Sequence, residues 1–156
     1  MGQANDAEAG ASGRQPPRLA DFAGRWRVSR IIDDRMGGQA GTFAGDALFQ
    51  PRPDGALYYA EEGELRLGPG PSFRAMRSYL WRAEGGRIVV DHGDGRPFHS
   101  FEPAAPAAEH LCGADLYVVR YDFAAWPRWR AEWTVRGPRK DYAMVSDFAP
   151  LGASAG

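Results

Sequence analysis

Leu57-Tyr58-Tyr59-Ala60-Glu61-Glu62-Gly63-Glu64-Leu65-Arg66-Leu67, the turn Gly68-Pro69-Gly70-Pro71-Ser72, and Phe73-Arg74-Ala75-Met76-Arg77-Ser78-Tyr79-Leu80-Trp81 together decide the fold. Successive side chains of a strand point to opposite faces. Leu57, Tyr59, Glu61, Gly63, Leu65 and Leu67 therefore share one face, and the second arm adds Phe73, Ala75, Arg77, Tyr79 and Trp81 to it. The other face carries Tyr58, Ala60, Glu62, Glu64, Arg66, Arg74 and Arg82. Apolar residues at a helical period of three to four are missing, and the Gly/Pro turn breaks any helix. The stretch reads as a β-hairpin with a core face and a water face. Its expected register sets Gly63 against Arg77 and Glu61 against Tyr79, so that Glu61 and Arg77 are diagonal neighbours and Gly63 leaves room for the guanidinium.

The same pattern extends in both directions. Two-residue alternation predicts strands over 24–33, 41–50, 56–67, 73–84, 87–93, 97–102, 113–124, 128–136 and 141–149, joined by turns such as Gly85-Gly86, Asp94-Gly95 and Gly137-Pro138-Arg139-Lys140. Across these turns Trp81 pairs with Val90, Tyr79 with His92, Val90 with His99 and Ile88 with Phe101, with Phe98 outward. Trp129, Ala131, Trp133 and Val135 point inward, as do Tyr142, Met144, Ser146 and Phe148. The expected fold is all-β, an antiparallel up-and-down barrel of about 8–10 strands.

At 156 residues and 17.1 kDa the chain has the length of one domain. The reading divides it into a flexible N-terminal tail over 1–20, a single barrel domain over 21–150 and a flexible end over 151–156. Nineteen Lys plus Arg against twenty Asp plus Glu give a net charge of −1, which argues against a general nucleic-acid binder. No apolar run reaches membrane-spanning length. Cys112 stands alone, so an internal disulfide is excluded, and the first residues lack a secretory signal pattern; a cytoplasmic location is expected. Nearly all the basic residues are arginine, and Lys140 is the single lysine.

The expected inner face carries much polar chemistry: Arg30, Glu61, Arg77, Tyr79, His92, His99, Asp115, Tyr117, Tyr121 and Tyr142. Buried charges require partners, water or a ligand. Glu61 with Arg77 is either an ion pair closing one end of the barrel or a polar anchor for a ligand head group. His99 is either a hydrogen-bonded core group or an acid–base catalyst. His110, Cys112 and Asp115 lie close in sequence, but their spacing matches no metal motif, so no metal site is expected. Phosphate-loop and Gly-x-Ser-x-Gly patterns are absent.

Phe22-Ala23-Gly24-Arg25-Trp26 opens the first strand with Gly-x-Trp, which resembles the start of lipocalins and other calycin barrels. The resemblance implies that Trp26 plugs the closed end beneath a basic residue from the last strand. Residues 141–149 contain no Arg or Lys, so that partner is either missing or replaced from elsewhere. The set Gly55-x-Leu57-x-Tyr59-x-Glu61-x-Gly63, Arg77-x-Tyr79-x-Trp81, Gly95-Arg96-x-Phe98-His99 and Gly137-Pro138-Arg139-Lys140-Asp141-Tyr142 resembles an uncharacterised single-domain family of bacteria and fungi over residues 22–149.

The expected function is a barrel that binds a small amphipathic, anionic molecule. Arg30, Glu61, Arg77, Tyr79, Trp81, His92, His99, Tyr117, Tyr121 and Tyr142 are its candidate binding residues. The alternative is an enzyme of the same fold, with His99 or Glu61 as acid or base and Arg77 stabilising negative charge. Haem is not expected: calycin barrels resembling nitrobindin carry the ligating histidine near the C-terminus, and no His follows His110. A filled interior would favour a protein-interaction module instead.

Overall fold

The structure is a computed structural model that describes residues 15–152. The tail assignment for residues 1–14 and the end assignment for residues 153–156 fall outside the described residues. Residues 15–20 depart from the tail reading. Pro17 is buried, and Leu19 packs on the core as part of a short 3₁₀ turn, Leu19–Phe22.

Ten strands follow: β1 Gly24–Asp34, β2 Gln39–Pro51, β3 Leu57–Leu67, β4 Phe73–Glu84, β5 Arg87–His92, β6 Pro97–Phe101, β7 Ala107–Cys112, β8 Asp115–Asp122, β9 Trp129–Gly137 and β10 Lys140–Pro150. They form one antiparallel sheet in the order β6-β5-β4-β3-β2-β1-β10-β9-β8-β7. Each strand thus pairs with its sequence neighbour, and β1 closes on β10. The barrel is nearly complete: β6 and β7 are the two edges, and they meet through side chains, with the Phe98 and His110 rings 5.5 Å apart. Among the described residues no helix is long and apolar enough to cross a membrane.

Two glycines set the curvature of one wall. Gly45 of β2 faces Gly63 of β3, and a Cβ on Gly63 would lie 2.7 Å from the Gly45 Cα. Glycine therefore permits a backbone approach that alanine would block. Gly63 serves that crossing rather than making room for Arg77, whose partner across β3 and β4 is Glu61 itself. Gly63 lies opposite Ala75 and Tyr59 opposite Tyr79, so the hairpin is displaced by two residues from the sequence-based register. A two-residue shift keeps every side chain on its face, which is why the inward set is unchanged.

One end is closed by aromatic packing. Phe22 is fully buried, with Phe49, Trp81, Trp126 and Trp129 at ring-centroid distances of 5.7, 5.3, 4.9 and 5.3 Å. The Trp26 indole N–H donates to the Phe22 carbonyl at 2.9 Å. Trp126 and Trp129 pack on Trp26, at 5.6 and 5.9 Å, where the resemblance called for a basic residue. Burying one such ring contributes about 1.5–3 kcal/mol from area alone, so this end is the structural anchor. The β1–β2, β3–β4, β5–β6, β7–β8 and β9–β10 turns surround the opposite, open end.

Candidate functional site at the open end

Arg30 rises from β1 and Glu61 from β3, both nearly buried on inner faces. Their carboxylate–guanidinium pair is bidentate, at 2.7 and 2.9 Å. Arg30 Nε donates to Ser146 Oγ of β10 at 2.6 Å, and its guanidinium sits 4.9 Å from the Phe43 ring centroid. The Tyr59 hydroxyl donates to Glu61 Oε1. Burial alone would push the Glu61 carboxyl up, but the hydrogen bonds and charge of Arg30, the charge of Arg77 and the Tyr59 hydroxyl together hold it below the ordinary carboxylate range. Burial, with Glu61 alongside, raises the Tyr59 hydroxyl far above that of a free tyrosine.

This arrangement corrects the expected pairing: the main partner of Glu61 is Arg30. Arg77 approaches Glu61 Oε2 only to 3.6 Å, and its side chain is 44% exposed. Glu61 is also a poor general base, because both oxygens already accept hydrogen bonds. A void of about 50 Å³ lies beside the pair, lined by Arg30, Tyr59, Arg77, Tyr121, Trp133 and Ser146 among others. Such a volume suits water rather than an organic ligand. Trp81 is buried with the closed-end rings and borders this void from below.

Above the pair, the inner face divides into two walls. Ile32, Phe43, Leu65, Leu67 and Phe73 continue the apolar rows of β1 to β4 toward the mouth, and Phe73 is 52% exposed there. Facing them are the half-buried aromatics Tyr79, His92, His110, Tyr117, Trp133 and Tyr142. Lys140 stands on the rim, its Nζ 3.1 Å from the Tyr117 hydroxyl and 3.3 Å from Asp115. Those hydrogen bonds raise the Lys140 amine above its ordinary range and keep it cationic. Burial raises the Tyr142 hydroxyl, with Tyr117 adding to the effect and Lys140 and Arg77 opposing it. The mouth thus combines an apolar wall, an aromatic wall, the Arg77 guanidinium and the Lys140–Asp115 ion pair.

His99 is buried, and its Nε2 lies 2.8 Å from the Tyr121 hydroxyl. Among the described residues its Nδ1 has no hydrogen-bond partner. Burial pushes the imidazole down to about 3, with smaller contributions from His110 and His92, so His99 is neutral at physiological pH. Burial likewise raises the Tyr121 hydroxyl, with a smaller contribution from Tyr79. His92 is lowered mainly by burial, then by the charge of Arg96.

The site includes residues that the sequence reading placed elsewhere. Phe98 is buried rather than outward: Val90 pairs with His99 and Asp91 with Pro97, so Phe98 is the extra residue of a β-bulge and turns inward beside His99. His110 comes from β7, a strand the alternation did not reveal. Tyr59 and Ser146 complete the Arg30–Glu61 cluster. The isolated Lys140 is the one rim residue with a compositional signal. Among the described residues no three His, Cys, Asp or Glu side chains come together as a metal site.

No curated protein matches the chain. Among solved structures, the S-type phycobiliprotein lyase CPES from Guillardia theta is similar at 11% identity, with a TM-score of 0.55 over 82% of this chain and 87% of that one. The redesigned beta barrel mFAP1, bound to DFHBI, aligns at 14% identity with a TM-score of 0.42, covering 85% of this chain and 100% of that one. The likeness to the lyase is one of fold, consistent with the lipocalin-like start at Trp26. Residues 22–150 match the family of unknown function DUF6314, and the chain belongs to that family.

Proposed function

We propose that the barrel binds a small amphipathic anion at its open end. The observation that carries this reading is the position of Arg77. Glu61 is already held by Arg30, so the partly exposed Arg77 guanidinium keeps donors free at the boundary between the apolar and aromatic walls. An acid group would engage Arg77, with the Lys140–Asp115 ion pair beside it on the rim. The body of the ligand would lie along Leu65, Leu67 and Phe73 on one side and Tyr79, Tyr117 and Tyr142 on the other. Concave apolar surface with a few placed polar groups is the usual form of a small-molecule site. Arg30 and Glu61 act here as the polar floor that orients Arg77.

Parinaric acid, a fluorescent fatty acid, tests the proposal. Wild-type protein is expected to enhance its fluorescence saturably, and Arg77→Met to weaken binding at least tenfold while leaving the fold intact by circular dichroism. Equal binding by both proteins would overturn the anion site, and no binding by either would overturn the function.

A further inference from the structure

The interior is filled at the level of the aromatic wall, and one side chain does the filling. The Phe98 ring stacks on His92 at 4.5 Å, on Trp133 at 5.1 Å and on Tyr79 at 5.8 Å, with interplanar angles of 23°, 7° and 18°. His99, His110 and Tyr117 present their rings edge-on around it, at 4.6, 5.5 and 5.7 Å. Six rings thus form a slot of the thickness and chemistry that a flat aromatic group requires.

The backbone that carries Phe98 also lacks a ladder partner. The rings around it at this level, Tyr79, His92, His110, Tyr117 and Trp133, sit on strands at positions with ladder partners. Phe98 lies on the edge strand β6, at the residue where the ladder to β5 is interrupted, and no ladder joins β6 to β7 among the described residues. Phe98 itself thus has no ladder partner to lose when it moves. Trp133 lines both the slot and the void beside Arg30 and Arg77, so an emptied slot would run into that void.

We infer that Phe98 occupies the place of a ligand's aromatic ring, and that the barrel takes planar aromatic acids by displacing it, with the acid group directed to Arg77. This deepens the proposed function and rests on it. A side chain that must leave before the ligand enters lowers apparent affinity by the fraction of time the slot is open. Shortening Phe98 removes that penalty for a planar ligand and leaves a linear one largely unaffected.

The test compares naphthoate with decanoate on the full chain, followed by tryptophan fluorescence and calorimetry. Phe98→Ala is expected to bind naphthoate at least tenfold more tightly than wild type, with decanoate affinity changed less than twofold. Should Phe98→Ala fold poorly, Phe98→Leu keeps most of the apolar volume without the ring and is expected to strengthen naphthoate binding severalfold. Unchanged or weaker naphthoate binding in the folded variant would overturn the slot while leaving decanoate binding, and so the open-end site, intact. Failure of both acids to bind wild type and variant would overturn both.

Discussion

Replacing Arg30 by Met removes the partner that holds Glu61 from both carboxylate oxygens. Stranding one member of a buried ion pair costs about 3–5 kcal/mol, since the remaining charge keeps its desolvation penalty without its compensation. Arg77, 3.6 Å away, and the Tyr59 hydroxyl still face the carboxylate, so the loss should lie near the lower bound, about 3 kcal/mol. Arg77→Met breaks a contact to a 44% exposed side chain and should cost about 1 kcal/mol or less. The double variant Arg30→Met with Glu61→Leu should recover much of the deficit. Recovery stays incomplete because the Tyr59 and Ser146 hydroxyls lose partners worth about 1 kcal/mol each. The pH dependence adds a sign test. In wild type the Glu61 carboxyl is held low, so its contribution is present above its unfolded pKa of about 4.3 and is lost as pH falls through the folded value. Without Arg30 the strongest influences that lower Glu61 are gone and its folded value rises, so the gap between variant and wild type should narrow on acidification. Urea unfolding at neutral and mildly acidic pH, monitored by tryptophan fluorescence, measures all of this. Equal losses for Arg30→Met and Arg77→Met, or a gap that widens in acid, would refute the assignment of Arg30 as the main partner.

Two further outcomes follow from the interior. His99 is held neutral, with a folded pKa of about 3. Its contribution is therefore complete above the unfolded value of about 6.5 and is lost as pH falls between there and about 3. His99→Gln, which can still bond Tyr121, should flatten the stability profile over that range; an unchanged slope in urea unfolding would contradict the neutral assignment. Gly63→Ala places a Cβ 2.7 Å from the Gly45 Cα and should lower stability by about 1–3 kcal/mol; an unchanged melting temperature would show that the crossing can relax.

Much of the barrel was legible because alternation survives errors of register. The Gly85-Gly86 turn set the β4–β5 pairs Tyr79 with His92 and Trp81 with Val90, as observed. The five-residue loop from Gly68 to Ser72 can close a hairpin in more than one register of the same parity, and the side chains alone did not choose between them. The loop is bridged by Arg66 bonding the Gly70 carbonyl, an interaction that no periodicity encodes. β7 escaped notice because Ala107 and Ala108 carry little hydrophobic contrast and Leu111 faces out. Phe98 was misassigned because a bulge inserts one residue without changing the composition around it. Arg30 and Glu61 were both recognised as inward, but their pairing links β1 to β3 over the intervening β2, beyond the reach of hairpin arithmetic.

Nuclear magnetic resonance of the isotope-labelled full chain, titrated with decanoate, tests the open-end site most directly. Saturable shifts should concentrate at Arg77, Tyr79, Tyr117, Lys140 and Tyr142, and leave the closed-end residues Phe22, Trp26 and Phe49 unmoved. Shifts centred on the closed end or the outer face, or none at millimolar decanoate, would contradict the account.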